Sequence, residues 1–94
     1  MIEKLKNTEN FLEGAWVLEN GKIVEDSVSK RIQLLITAFL KKVAVSDDGW
    51  DTLYIDTDDS RYWELTYPES NLQGGGAPAL KNIAYDEAEK KYSL

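Results

Sequence analysis

The spacing of apolar residues changes several times along this chain, and each change predicts an element. Trp16-Val17-Leu18 and Ile23-Val24 flank Asn20-Gly21. Both central positions of the tightest hairpin turn need positive φ, which asparagine and glycine accept most readily, so Ala15–Val24 predicts a β-hairpin. Pairing about that turn sets Leu18 opposite Ile23 with Trp16 on the same face, and Val17 with Val24 on the other. From Asp26 or Ser27 the period lengthens. Val28, Ile32, Leu35, Ile36, Phe39 and Val43 recur three and four apart, predicting a capped amphipathic helix to about Val43 that packs on a sheet. Lys41 and Lys42 would then lie at its negative end.

Alternation returns in Trp50–Asp56 and Arg61–Tyr67, two strands joined by the turn formers Thr57-Asp58-Asp59-Ser60. It assigns Leu53, Ile55, Trp63, Leu65 and Tyr67 to a core face and turns Thr52, Tyr54, Asp56, Tyr62, Glu64 and Thr66 outward. Pro68 removes a ladder donor and ends the second strand. Residues 69–79 read as a loop opened by Gly74-Gly75-Gly76, Leu80–Ala84 as a last strand, and Asp86 as the start of a short helix with Ala88 and Tyr92 inward. Residues 1–14, with sparse apolar positions at Ile2, Leu5, Phe11 and Leu12, predict a short helix stopped by Gly14.

The expected fold is α+β, one domain over residues 1–94. A small, mainly antiparallel sheet of two hairpins plus a last strand carries one long helix on one face and a short C-terminal helix. The expected core is Trp16, Leu18, Ile32, Leu35, Ile36, Phe39, Leu53, Ile55, Trp63, Leu65 and Tyr67.

Composition narrows the chemistry. The chain has no histidine and no cysteine. That removes the commonest general base, the commonest metal ligand and every thiolate site, so neither an enzyme nor a metal or other cofactor is expected. The N-terminal stretch lacks the apolar core of a signal peptide, and Leu34–Leu40, the longest mostly apolar run, is about a third of a membrane span. A cytoplasmic protein without a membrane partner is the expectation.

Charge is placed unevenly. Residues 1–45 hold seven basic and six acidic residues, whereas residues 46–94 hold four basic and eleven acidic ones. Nucleic acid would be repelled by the second half, and a basic protein partner would be attracted. An acidic surface also serves solubility alone.

Three motifs in that half can be tested against known chemistry. Asp56-Thr57-Asp58-Asp59-Ser60 resembles the start of a calcium loop, but Arg61 and Tyr67 stand where an EF-hand needs glycine and glutamate. Gly74-Gly75-Gly76 runs into Ala77-Pro78 rather than a helix with lysine and serine, so it is no phosphate loop. Asp56 and Glu64 share a predicted face without a third polar group to complete an acid–base site. What remains is recognition. The candidate surface is Asp51, Tyr54, Asp56, Asp58, Asp59, Tyr62 and Glu64 with Gln73, Gly74, Gly75 and Gly76, combining acids, tyrosine anchors and a glycine loop open to close approach.

The blocks Gly49-Trp50-Asp51-Thr52-Leu53-Tyr54, Asp58-Asp59 and Arg61-Tyr62-Trp63-Glu64-Leu65-Thr66-Tyr67-Pro68 are distinctive together. Gly74-Gly75-Gly76 with Pro78, Glu87-Ala88 and Lys91-Tyr92 accompany them, and Leu12-x-Gly14-x-Trp16 and Arg31-Ile32 are compatible. In these residues the chain resembles bacterial immunity protein family 27, cognate antitoxins of polymorphic and contact-dependent toxin systems. It departs from that pattern at Ile55 (usually basic), Thr57 and Ala77 (usually proline), Ser60 (glycine) and Gln73 (histidine), positions able to retune partner choice without changing the fold. The resemblance implies a small α+β protein that binds one secreted toxin domain and neutralises it in the cytosol of the producer and its kin; the acidic half makes a basic nuclease the natural guess for that toxin, and a monomer is expected in the complex. Without it, the glycine loop and aromatics would equally suit a small ligand- or peptide-binding regulatory module.

Overall fold

The computed structural model describes residues 4–68 and 76–94. Its elements are β1 (Phe11–Glu13), β2 (Trp16–Glu19), β3 (Lys22–Glu25), α1 (Ser27–Ala38), β4 (Lys41–Val45), β5 (Thr52–Asp56), β6 (Arg61–Thr66), β7 (Ala79–Ile83) and α2 (Tyr85–Tyr92). Five strands form an antiparallel sheet in the order β1-β7-β6-β5-β4, and β2 and β3 pair in a separate two-stranded ribbon. The fold is α+β with a mostly antiparallel sheet, as the periodicity predicts.

Each face of the sheet carries its own core. In the β5–β6 register Tyr54 opposes Trp63 and Leu53 opposes Glu64. Trp63 and Leu65 therefore look toward α1, packing with Leu12, Ile32, Leu35, Leu40 and Leu80, while Tyr54, Ile36 and Tyr67 are half-buried at the margin. Leu53 looks the other way and packs with Ile83, Ala88 and Tyr92 beneath α2. This corrects the single core face expected from alternation. Alternation sets the faces within a strand but not the phase between strands. Here the four-residue turn pairs Asp56 with Arg61, which puts Tyr54 rather than Leu53 beside Trp63. Ile55 is half-buried on the α2 face with Tyr62.

Three further expectations are corrected. The helix from Ser27 stops at Ala38, where Leu35 accepts from the N–H groups of Phe39 and Leu40. The residues beyond it form β4 along β5, because β-branched Val43 and Val45 in alternation suit an edge strand better than another helical turn. Phe39 consequently lies at the rim, 36% exposed, under the Lys4 ammonium. Phe11–Glu13, expected to be helical, is a strand on β7. Gly14 stops no helix. Its N–H donates to the Pro78 carbonyl at 2.8 Å, and a Cβ there would collide with Ser29 Oγ and come within 2.9 Å of that carbonyl oxygen.

The N-terminal hairpin forms with the expected register, Leu18 opposite Ile23 and Val17 opposite Val24, about Asn20 and Gly21 at φ 53° and 78°. It does not join the core. Leu18 is 75%, Ile23 72% and Trp16 43% exposed, which corrects the placement of Trp16 and Leu18 inside. The base of the ribbon is held where the Asp26 N–H donates to the Ala15 carbonyl, and Asp26 in turn caps α1 by accepting from the Ser29 N–H at 2.8 Å.

Candidate functional site

The acids that stand close together in sequence are separated in space. Asp51 and Asp56 bracket β5, about 17 Å apart for a five-residue strand. At the Asp56 end, the β5–β6 turn is laced to the segment before β1. Asp58 pairs with Lys4 at 3.1 Å, and Asp59 accepts from Arg61 Nε at 2.6 Å. The Arg61 guanidinium also donates to the carbonyls of Glu9 and Lys6 and stacks on Trp63 at 4.9 Å. Arg31 from α1 completes the clamp with two 2.7 Å bonds to the Glu9 carboxylate and a third to the Lys4 carbonyl. The hydrogen-bonded Arg31 guanidinium overcomes the cost of burial and holds the Glu9 carboxyl down to about 2. The one base in an acidic stretch, Arg61, is thus a structural clamp.

At the other end, α2 closes a second network. Lys91 Nζ lies 2.7 Å from both Asp51 and Glu64, and the Tyr92 hydroxyl donates to Glu64 at 2.7 Å. Burial opposes the Lys91 charge, but the two carboxylates outweigh it and raise its pKa; burial and Glu64 together push the Tyr92 hydroxyl up as well. Glu64, placed outward by alternation, is buried. Ser46 and Asp48 extend the network by accepting from the N–H groups of Asp51 and Trp50.

The two tyrosines part company too. Tyr54 is half-buried against the α1 core, and that burial raises its hydroxyl pKa. Tyr62 lies on the opposite face with its ring 5.6 Å from that of Tyr85. Of the candidate surface, Asp51, Asp58, Asp59 and Glu64 are paired internally, and Asp56 accepts from the Asp58 N–H. Gln73, Gly74 and Gly75 lie outside the described residues, and Gly76 is buried. The described residues of that surface are not gathered on one face.

What stands out instead is the ribbon that sequence reasoning sent inside. Trp16, Leu18 and Ile23 share one of its faces with Glu25, opposite Trp16. Among the described residues, the carboxylates of Glu13, Glu19 and Glu25 make no ion pair or hydrogen bond. A signal for this existed: a ribbon of four-residue strands apolar on both faces cannot bury both against a single helix.

A hollow beneath Phe39, bounded by Lys4, Leu35 and the β5–β6 turn, holds about 80 Å³, well under the size of a small-molecule pocket. No group of three or more potential ligands is gathered as a metal site among the described residues.

The Immunity protein 27 family model matches residues 18–84, from β2 through the end of β7. The chain belongs to the Immunity protein 27 family. Neither a curated protein nor a solved structure matches it. The Immunity protein 27 match takes in the ribbon turn, α1 and the whole β5–β6 hairpin. It leaves Leu12, Gly14, Trp16 and all of α2 outside, so the resemblance at Glu87-Ala88 and Lys91-Tyr92 is not part of the matched span. Membership in Immunity protein 27 suggests a toxin-neutralising role, in a family generally without enzymatic activity.

Proposed function

We propose that this protein neutralises a cognate toxin by stoichiometric binding in the cytoplasm of the cell that makes it, and that the toxin domain is basic. The charge distribution carries the second part: eleven acids against four bases in residues 46–94. Internal pairing does not cancel that excess, because Lys91 answers two carboxylates and Arg61 and Lys4 one each. The remaining negative field draws a basic surface in and orients it before contact.

The test uses the C-terminal domain of the protein encoded immediately upstream of this gene, made as an inactive variant for titration and in active form for growth. Co-expression of this chain should restore growth, and calorimetry should give one-to-one binding. The association rate should fall steeply as salt rises from tens to hundreds of millimolar. Protection without complex formation, or salt-independent association, contradicts the proposal.

A further inference from the structure

Resting on the reading of the chain as a toxin-binding protein, we propose that the exposed apolar face of the β2–β3 ribbon is the surface that seats on the cognate toxin. The toxin would present an apolar socket rimmed by lysine or arginine. Leu18 and Ile23 are directly opposed across the ribbon, with Trp16 beside them on the same face. Cross-strand apolar pairs normally stabilise a sheet by being covered, yet these two are three-quarters and nearly three-quarters exposed. The ribbon is pre-shaped by its Asn20-Gly21 turn and tied at its base by the Asp26–Ala15 hydrogen bond. Little conformational freedom is therefore lost when a partner covers it.

Charge selects the occupant. Glu25 lies on the apolar face opposite Trp16, and Glu19 follows Leu18 on the other face opposite Lys22; among the described residues neither carboxylate makes an ion pair. A second copy seated there would bring those carboxylates against their own equivalents, which is repulsive, whereas a basic rim would pair with them. An apolar centre with charge at its margin is the anatomy of a specific interface. The other exposed apolar strand, β4, is guarded differently: Lys41 and Lys42 precede an irregularity at Val43, features that keep an edge strand from pairing. The β5–β6 turn, rich in acid, lies at the opposite end of the sheet from the ribbon base and has its charges tied to Lys4 and Arg61.

The test is calorimetric titration of the inactive upstream-encoded toxin domain into the full chain, with sedimentation of the free chain. Leu18→Ser with Ile23→Ser should weaken binding about a hundredfold or more while leaving the melting midpoint nearly unchanged. Glu19→Lys with Glu25→Lys should weaken it about tenfold or more and slow association. Asp56→Lys with Asp58→Lys, at the far end, should change affinity less than about fivefold. If the wild type does not bind at all, the functional reading fails and this inference falls with it. If the wild type binds and both ribbon variants stay within about threefold of it, the inference alone fails. It fails equally if the turn variant loses binding while the ribbon variants keep it. A free dimer that the ribbon variants dissociate would assign the patch to self-association and overturn the proposal.

Discussion

The two hairpins of this protein use similar residues to opposite ends. The β5–β6 hairpin holds the densest acid and aromatic content of the chain, and the fold turns most of it inward or ties it down. Trp63 and Tyr54 serve one core, Tyr62 and Glu64 the other face, and Asp51, Asp58 and Asp59 end in ion pairs. The β2–β3 ribbon carries fewer such residues and leaves them facing water. Charge or aromatic density in a sequence is therefore a poor guide to a recognition surface until internal partners are subtracted. An ion pair already satisfied within the molecule gives little further energy to a partner, whereas an exposed apolar face with free carboxylates around it has both to offer.

The sharpest contrast between the hairpins should appear in stability. Trp63→Ala removes a ring with no exposed surface at the centre of the α1 core and should cost about 3–5 kcal/mol in a urea melt. Leu18→Ala, on a side chain mostly in water, should stay within about 0.5 kcal/mol. Comparable losses at the two positions would break the comparison.

Next in size is the clamp on Glu9. Its folded pKa, about 2, lies below the unfolded value near 4.5, so the stability it supplies is present above 4.5 and is lost as pH falls from there toward 2. The shift sets an upper limit of about 3 kcal/mol, less after solvent screening of a partly exposed pair. Melting midpoints followed from pH 6 to pH 2.5 should fall more in the wild type than in Glu9→Gln, which should start lower and respond less to acid. Identical slopes would show that Arg31 does not hold the carboxylate as described.

The α2 network should contribute less. Lys91→Met leaves Glu64 buried with only Tyr92 as partner and should cost about 1–3 kcal/mol. The raised folded pKa values of Lys91 and Tyr92 give the opposite sign to that of Glu9. Their contribution is complete below the unfolded values of 10.5 and 10.0 and is lost as pH rises from there toward the higher folded values, so the variant should lose less stability than the wild type as pH rises above 10.5. An unchanged alkaline limb in Lys91→Met would show that Lys91 does not couple folding to pH in this way.

How much of this was legible in the sequence depended on whether the deciding interaction was local. The Asn20-Gly21 turn, the Asp26 cap and the inward Ala88 and Tyr92 follow from residues a few positions apart, and the fold agrees with each. The phase of β5 against β6 depends on how the turn closes, and it moved Tyr54 inward and Glu64 onto the α2 face. The end of α1 was decided by competition with β5 for Lys41–Val45, a contact absent from any local window. The clamping role of Arg61 was invisible locally because its partners, the carbonyls of Lys6 and Glu9, are 55 and 52 residues away. The ribbon is a mixed case: periodicity shows that Leu18 and Ile23 share a face, and apolar residues on both faces show that one must stay in water, but which one depends on distant packing.

The difference between the hairpins is tested most sharply by hydrogen exchange on the full chain, free and saturated with the inactive upstream-encoded toxin domain. Exchange should slow across residues 16–25 in the complex, with little change at residues 56–61. Protection at the β5–β6 turn, with the ribbon exchanging as it does in the free protein, would contradict the assignment of the ribbon as the toxin-binding surface.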